Sequence, residues 1–347
     1  MTIRIGIAGV QHPHMDAILD DAAAHTGAEL VGLAERDPRL RAEYAQRYRV
    51  AAFEDHTQLL DAGELDAILV GDVFGARGRI IADALGHGLH VLTDKPMCTT
   101  PADLDAIHHA WRGGDRVLTI AFEKRFLPAT LALSELLDAG ELGEIVMVTS
   151  AGPHKLIRDE RPAWMFHDDT YGGILNDLVV HDIDLLLHLT GAASGTVRGY
   201  AGNRCHADVP EFEDHGLAVI QVDDGPLASL DAHWMSPQAA PYFGDIAMTV
   251  VGTHGTAELR WIHNRLILGT HHRPPAEIPL PGRRSATRDF LDALTDGRPP
   301  AVTAHASFAA TAVALAAQRS ARLGHPVTWD VDTYRREPAD ARTSTTM

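Results

Sequence analysis

The sequence predicts an α/β protein in which a Rossmann-type, doubly wound parallel sheet precedes an α+β domain with a large, mostly antiparallel open sheet. In the first third of the chain, short apolar runs alternate with amphipathic stretches, which is the pattern of a parallel sheet covered by helices. Later, strand-like runs follow one another almost directly, which favours antiparallel pairing. We therefore expect a first domain over residues 1–122, a second over 123–335 and a loose tail over 336–347.

The elements of the first domain follow from this alternation. The buried strands are predicted at Ile3–Ala8, Leu30–Leu33, Ala67–Val70, Leu89–Leu92 and Val117–Ala121. The helices between them are predicted at Pro13–His25, Pro38–Tyr48, Arg79–Leu85 and Pro101–Trp111. Pro38 and Pro101 support two of these starts, because the first turn of a helix tolerates proline.

The second domain is predicted to begin with a helix, a strand and an irregular loop: Pro128–Asp138, Glu144–Ser150 and Gly152–Tyr171. A long apolar helix follows near Ile174–Leu189. Strands are then expected at Thr196–Ala201, Gly216–Val222, Leu227–Trp234, Asp245–Val251, Ala257–Trp261 and Arg265–Leu268. Two helices close the domain, at Ala286–Leu294 and His305–Leu323.

The charge of the chain excludes several classes of partner. Its 47 acidic and 30 basic residues give a formal net charge of −17, which repels nucleic acid and anionic membranes and favours a small-molecule partner. No signal peptide or membrane span is recognisable. We therefore expect a cytoplasmic protein in which the two cysteines, Cys98 and Cys205, are free thiols.

The end of the first strand carries a partial dinucleotide-binding motif. Only Gly9 fits the G-x-G-x-x-G fingerprint, whose other two glycines are replaced by Gln11 and His14. Gly9, Gln11 and His12 are therefore candidate cofactor contacts. His12 and His14 also have a usable metal-ligand spacing, but the sequence suggests no third ligand nearby, so no metal is predicted.

The acid at the end of the second strand supports the same interpretation. Glu35 stands where such sites place a carboxylate that binds both ribose hydroxyls, which favours NAD over NADP. Two alternatives stay open. Glu35 could be a solvated acid at a strand end, and the neighbouring Arg36 leaves NADP possible.

A lysine followed by proline ends the strand Leu89–Leu92. Ligands of open parallel sheets bind at the carboxyl ends of the strands, so the ammonium group of Lys95 could polarise a hydroxyl or carbonyl near a nicotinamide. In the alternative reading, Lys95 is a surface residue of a turn that pairs with Asp94.

The strongest local feature is a polar stripe on the apolar helix that follows Gly172-Gly173. The stripe consists of Asp177, His181, Asp184 and His188, at spacings of four, three and four, which predicts one shared helix face. A buried polar stripe costs free energy unless it is paired or lines a wet cavity. We expect Asp177 to orient His181 as a general base; a structural network or a metal site is the alternative.

Taken together, these motifs resemble the Gfo/Idh/MocA oxidoreductases over nearly the whole chain. Asp94-Lys95-Pro96 is similar to the family's Glu-Lys-Pro signature, and Gly172–Asp184 is similar to its Gly-Gly…Asp-x-x-x-His-x-x-Asp helix. Further matches are the domain junction Phe122–Pro128, the Gly-Thr-x-Gly turn at Val251–Thr256, and the closing helices from Asp289-Phe290 onward.

The resemblance implies NAD(P)-linked oxidation or reduction of a sugar, cyclitol or related polyol. It implies Lys95, Asp177 and His181 as the catalytic set and Arg125 as a contact of cofactor or substrate. It also implies a homodimer or homotetramer that forms through the open sheet of the second domain.

Besides the replaced glycines, three features depart from the family pattern. Asp72 and Val73, of which Asp72 is a candidate cofactor contact, replace a usual Thr-Pro. Arg77 replaces a usual histidine, and Val179 replaces a common glycine. These departures suggest an atypical substrate.

Three functions remain open at this stage. The leading one is a dehydrogenase in which His181 takes the hydroxyl proton and Lys95 stabilises the developing oxyanion. The second is a lyase or glycosidase that uses tightly bound NAD for transient oxidation. The third is a non-catalytic dinucleotide-binding regulator, which the altered glycine loop favours and the intact Lys95, Asp177 and His181 disfavour.

Overall fold

The computed structural model describes residues 2–112 and 115–334 and contains two sheets. The first is fully parallel, with the order β3-β2-β1-β4-β5-β6. Its strands are β1 (Ile3–Ala8), β2 (Ala28–Ala34), β3 (Ala51–Phe53), β4 (Ala67–Val70), β5 (His90–Thr93) and β6 (Leu118–Ile120). The predicted Rossmann-type sheet is thereby confirmed.

Five helices accompany this sheet: α1 (His14–Ala23), α2 (Pro38–Tyr48), α3 (His56–Ala62), α4 (Phe74–Gly86) and α5 (Pro101–Arg112). The sequence prediction missed β3 and α3. β3 has three residues, none of them buried, so no apolar run marks it. α3 has seven residues and is too short for a clear helical period.

The second sheet has nine strands in the order β14-β13-β12-β11-β7-β10-β9-β8-β15, and its neighbours are antiparallel except for β7 and β10. The strands are β7 (Ile145–Pro153), β8 (Ser194–Gly202), β9 (His215–Val222), β10 (Leu227–His233), β11 (Ala247–Gly252), β12 (Gly255–Arg260), β13 (Arg265–Thr270), β14 (Arg273–Glu277) and β15 (Val327–Asp330). The mostly antiparallel sheet is thus confirmed as well.

The remaining helices are α6 (Pro128–Asp138), α7 (Asp168–Tyr171), α8 (Val180–Thr190), α9 (Ala286–Asp296) and α10 (Ala304–Leu323). The predicted helix near Ile174–Leu189 is composite, because a π-helical segment, Leu175–Val179, directly precedes α8. α8 and α10 pack together, and α10 covers β8 while also contacting β6 and α5. α10 therefore joins the two sheets.

Three hydrogen bonds fix the first sheet against the second part of the chain. The Thr119 hydroxyl donates to the Val302 carbonyl at 2.7 Å, and the Ile120 amide donates to the Ser307 hydroxyl at 3.1 Å. Asn176, in the π-helical segment, donates to the Cys98 carbonyl at 2.9 Å. The carboxyl end of β5 is thereby held against the π-helical segment.

Two predictions about chain organisation have no further support in the fold. The predicted tail, residues 336–347, lies outside the described residues. The division at residue 122 stays a prediction, although β6 ends at Ile120 and the second sheet begins at Ile145. Within the described ranges, no helix is both long and apolar enough to cross a membrane.

Candidate active site

The turn after β1 lies in the crevice between β1 and β4, where the strand order of the first sheet reverses. Ligands of doubly wound sheets bind at this point. Gly9 has a φ of +80°, and a Cβ there would lie 2.4 Å from the Asp72 Cα. Only glycine fits this position, which matches the first glycine of a dinucleotide fingerprint.

Glu35 is fixed inside this turn. Its carboxylate accepts hydrogen bonds from the Val10 amide at 2.8 Å, the Asp37 amide at 2.8 Å and the Gln11 side chain at 2.6 Å. The residue is 2% exposed, so the alternative of a solvated acid is wrong. Gln11 replaces a fingerprint glycine and holds the acid instead of leaving space for a phosphate.

A shallow cleft adjoins this carboxylate. Four acids line it, together with Arg36 and His56: Glu35, Glu54, Asp55 and Asp72. Arg36 is 62% exposed and lies 3.8 Å from the Asp55 carboxylate. These hydrogen-bond acceptors fit the adenosine half of NAD, because carboxylates accept hydrogen bonds from ribose hydroxyls and repel a 2′-phosphate.

His12 and His14 have a third polar neighbour that the sequence did not reveal. Asp94 Oδ2 lies 3.2 Å from His12 Nδ1, and Asp94 Oδ1 lies 2.9 Å from His14 Nδ1. One atom from each of the three residues lies within 4.8 Å of the others, which is compatible with metal binding. The expectation of no metal rested on the lack of a third ligand, and that premise is wrong.

The same carboxylate also binds a buried arginine. Arg77 Nη2 lies 3.0 Å from Asp94 Oδ2, and both side chains are almost fully buried. Burial opposes ionisation of Asp94, but His14, Arg77 and His12 outweigh it, so the pKa of the carboxyl lies well below its usual value. A cation bound here would share Asp94 with a positive charge.

Arg77 also fixes the backbone that carries Lys95. Its guanidinium donates to the carbonyls of Asp94, Lys95 and Pro96 at 2.9, 2.7 and 3.1 Å, and to the Asp72 carbonyl at 2.8 Å. The Lys95–Pro96 peptide is cis. The arginine that departs from the family pattern therefore positions the turn after β5.

Lys95 is buried and does not pair with Asp94. Its Nζ lies 2.5 Å from Asp177 Oδ1, and the two side chains are 3% and 1% exposed. The Tyr171 hydroxyl donates to Asp177 Oδ2 at 2.9 Å. Burial raises the pKa of Asp177, but the charge and hydrogen bond of Lys95 lower it below its usual value. The alternative of a surface lysine is wrong.

His181 lies beside this pair but donates no hydrogen bond to Asp177. Both carboxylate oxygens of Asp177 are occupied by Lys95 and Tyr171, and His181 Nδ1 is buried without a partner in the described ranges. The predicted contact by which Asp177 orients His181 is therefore not present. Burial, followed by the charges of Lys95 and Lys124, holds the pKa of His181 well below its usual value.

The other members of the polar stripe point to different partners. Arg125 forms a two-bond ion pair with Asp184, at 2.7 and 2.6 Å. Arg125 and His188 line a separate cavity of about 350 Å³, whose lining includes none of the predicted catalytic residues. Asp184 therefore pairs with Arg125 and not with Lys95 or His181. Asp177 lies in the π-helical segment, whereas the other three residues of the stripe lie in α8. The structure does not bring Arg125 to the Glu35 cleft.

Sequence reasoning missed two residues at this site. Lys124 binds Asp182 at 2.7 Å and its charge acts on His181. Tyr171 holds Asp177. A tyrosine directly before Gly172-Gly173 and a lysine beside Arg125 were the available signals, but neither shows its partner in the sequence.

Two family models match the chain. Residues 3–122 match an oxidoreductase family with an NAD-binding Rossmann fold, and residues 130–258 match the GFO/IDH/MocA C-terminal domain. Together they cover most of both sheets.

Individual relatives agree with these models. Inositol 2-dehydrogenase 2 from Saccharopolyspora erythraea is 26% identical over 335 residues, which cover 93% of this chain and 94% of the relative. The scyllo-inositol 2-dehydrogenase (NAD⁺) from Bacillus subtilis is 23% identical, with coverages of 80% and 82%. The structure of an oxidoreductase from Thermotoga maritima superposes with a TM-score of 0.86 at 25% identity, covering 94% of this chain and all of the other.

The NAD-binding crevice, the buried Lys95–Asp177 pair beside His181, and the matches to both domains are mutually consistent. The protein is an NAD(P)-dependent dehydrogenase or reductase that acts on CH–OH groups, and it belongs to the Gfo/Idh/MocA family of oxidoreductases.

Proposed function

We propose that the protein transfers hydride between NAD and a hydroxyl-bearing carbon of a sugar, cyclitol or related polyol. The observation that carries the proposal is the buried pair of Lys95 and Asp177 at the carboxyl end of β5, whose lysine acts electrostatically on the half-buried His181. The relatives named as inositol dehydrogenases support the substrate class.

NAD, when bound, supplies the hydride acceptor, and the side chains accept the hydroxyl proton and stabilise the negative charge on the substrate oxygen. The lowered pKa of His181 keeps its imidazole neutral at pH 7, so a ring nitrogen can accept the hydroxyl proton. Nδ1 has no hydrogen-bond partner in the described ranges. The Lys95 ammonium group donates to the substrate oxygen as negative charge develops there.

In this mechanism Asp177 positions Lys95 and not His181. Its carboxylate binds the ammonium group through Oδ1, and its backbone carbonyl accepts a second hydrogen bond from Lys95 at 3.1 Å. Tyr171 holds the other carboxylate oxygen and in turn accepts a hydrogen bond from the Trp234 indole at 3.2 Å. The ammonium group is therefore fixed before substrate binds.

We further propose that NAD binds more tightly than NADP. The acids of the Glu35 cleft outnumber its bases, and Arg36 already lies near Asp55, so a 2′-phosphate would meet net negative charge. We propose that the ribose hydroxyls replace Gln11 as hydrogen-bond donors to Glu35 Oε1. Calorimetric titration with both nucleotides tests this order of affinities.

Residues 123–335 are proposed to form the substrate and oligomerisation domain. Several large apolar side chains are exposed on one face of its sheet, including Met147, Tyr200 and Leu227. Met147 and Leu227 are cross-strand partners, so they form a continuous patch. We propose that a homodimer or homotetramer covers this face, as closed assemblies bury self-complementary patches. We also propose that the protein is cytoplasmic.

A panel of polyols with NAD and NADP in parallel, followed by nicotinamide absorbance, tests the function. A dehydrogenase reduces one nicotinamide for each substrate oxidised. A lyase or glycosidase that oxidises transiently forms product without net NADH. A regulator binds the nucleotide and shows neither reaction. Product formation without net NADH, or nucleotide binding without any turnover, would contradict the proposed dehydrogenase.

A further inference from the structure

Arg161 lies in the loop between β7 and α7 and stacks on an aromatic residue of the site. Its guanidinium carbon lies 4.3 Å from the centre of the Trp234 ring and 6.0 Å from that of Phe243. Among the described residues, no carboxylate forms an ion pair with it. The buried Arg77 and Arg125, in contrast, each bind an aspartate.

A chain of contacts connects this guanidinium with the catalytic lysine. Trp234, on which Arg161 stacks, donates to the Tyr171 hydroxyl, and Tyr171 donates to Asp177, which binds Lys95. Burial lowers the pKa of Arg161, and the charges of Asp177 and Tyr171 oppose that effect. Arg161 is therefore linked to Lys95 through three side chains in contact, and the charge of Asp177 acts on it.

Arg161 differs from the two lysines near it in having no ion-pair partner. Lys95 and Lys124 bind Asp177 and Asp182, respectively, whereas no carboxylate in the described ranges lies within ion-pair distance of Arg161. A partly buried cation is costly unless an anion compensates it, and a ligand can supply that anion.

The guanidinium also retains hydrogen-bond donors. Its Nε donates to the Leu156 carbonyl at 2.8 Å. Among the residues that the structure describes, Nη1 contacts only the Met165 sulfur and Nη2 only the Lys155 carbonyl, both at 3.4 Å. Each terminal nitrogen carries two N–H groups, so at least one on each remains available. A planar pair of N–H donors matches a carboxylate.

We propose that the substrate is a polyol that carries a carboxylate, such as an aldonate or a uronate, and that Arg161 binds this carboxylate. The inference rests on the proposed function, since Lys95 and His181 would act on a hydroxyl of the same molecule. Arg161 is then a specificity-determining residue, and neutral sugars and cyclitols are the weaker substrates.

The test compares matched sugars that differ in the anionic group: D-glucose with D-glucuronate, D-galactose with D-galacturonate, and each with its 6-phosphate. We expect kcat/KM for one uronate to exceed that for its neutral partner by about 10- to 100-fold, the effect of a charged hydrogen-bonded pair. Arg161→Met should abolish this preference, so that the ratio of kcat/KM for the uronate to kcat/KM for its neutral partner falls to about one.

Arg158→Met is the matched control. It removes the same charge from the same loop, but Arg158 lies on the surface and binds Asp208. The control should keep the preference for the uronate. Three results would overturn the proposal that Arg161 binds a substrate carboxylate. These are a higher kcat/KM for the neutral sugar, a higher kcat/KM for the 6-phosphate than for the uronate, or a preference for the uronate that persists in Arg161→Met.

Measuring uronate binding tests the role of Arg161 independently of the proposed dehydrogenase activity. If no sugar is oxidised, quenching of tryptophan fluorescence by the two uronates still reports on Arg161, which stacks on Trp234. Binding that is lost in Arg161→Met but kept in Arg158→Met supports the carboxylate site even though the dehydrogenase proposal fails. Absence of uronate binding at millimolar concentration overturns the inference.

Discussion

Replacing Arg77 by methionine should destabilise the protein more than any surface substitution. The Arg77 side chain is fully buried in α4 and makes hydrogen bonds to four backbone carbonyls and to the Asp94 carboxylate. Methionine fills similar space but has no donor. The variant leaves a buried carboxylate without its arginine and several carbonyls without a partner.

The expected loss of unfolding free energy is about 3–5 kcal/mol, the usual cost of removing one member of a buried ion pair. His12 and His14 still contact Asp94 and keep the loss within that range. Because domains are stable by only about 5–15 kcal/mol, the change is a large part of the total. Turnover should also fall, since Arg77 holds the Lys95 carbonyl.

Urea unfolding followed by circular dichroism measures this loss. Arg79→Met is the control, because Arg79 lies on the same helix, is 77% exposed and makes only a 3.5 Å ion pair with Asp83. The control should change the unfolding free energy by less than about 0.5 kcal/mol. If Arg77→Met lowers the free energy of unfolding by less than about 1 kcal/mol, the hydrogen bonds of Arg77 do not stabilise the fold as expected.

Three further outcomes are expected. Burial holds the pKa of His12 and His154 at about 3, below the unfolded value of 6.5, so the unfolded state binds more protons than the folded state between these two pH values. The free energy of unfolding should therefore fall as pH drops from 7 to 5. A free energy of unfolding that stays constant over this range would be inconsistent with neutral buried histidines. Dialysis against a chelator should leave the melting temperature unchanged, because Arg77 already compensates Asp94; a clear decrease would indicate a metal bound by His12, His14 and Asp94. Sedimentation should show a dimer or tetramer at micromolar concentration, whereas a monomer would exclude assembly through the patch of Met147 and Leu227.

For some helices, local sequence features predicted both the first and the last residue. α2 and α6 begin at Pro38 and Pro128 and end at Tyr48 and Asp138, as expected from a first-turn proline followed by helical periodicity. β14, in contrast, has the sequence Arg-Pro-Pro-Ala-Glu and lacks an apolar pattern. It lies at the edge of the sheet, where proline is tolerated, so only the fold identifies it.

The sequence named Lys95, Asp177 and His181 as the catalytic set, which stays a prediction, but it did not predict which of these side chains pair. Lys95 binds Asp177, which lies 82 positions away in the sequence. The sequence neighbour, Asp94, binds Arg77 instead. Helical spacing assigned Asp177 to His181, but Lys95 and Tyr171 occupy both carboxylate oxygens of Asp177. Ion pairs between distant segments follow from packing, which no local pattern encodes.

The measurement that tests the central claim most directly is the turnover of His181→Ala, compared with the affinity of the same variant for NAD. If His181 accepts the hydroxyl proton, turnover should fall by about two to four orders of magnitude, the scale of a positioned acid–base group. NAD affinity should barely change, because the histidine acts on the substrate. Near-normal turnover in a folded His181→Ala protein would contradict the account.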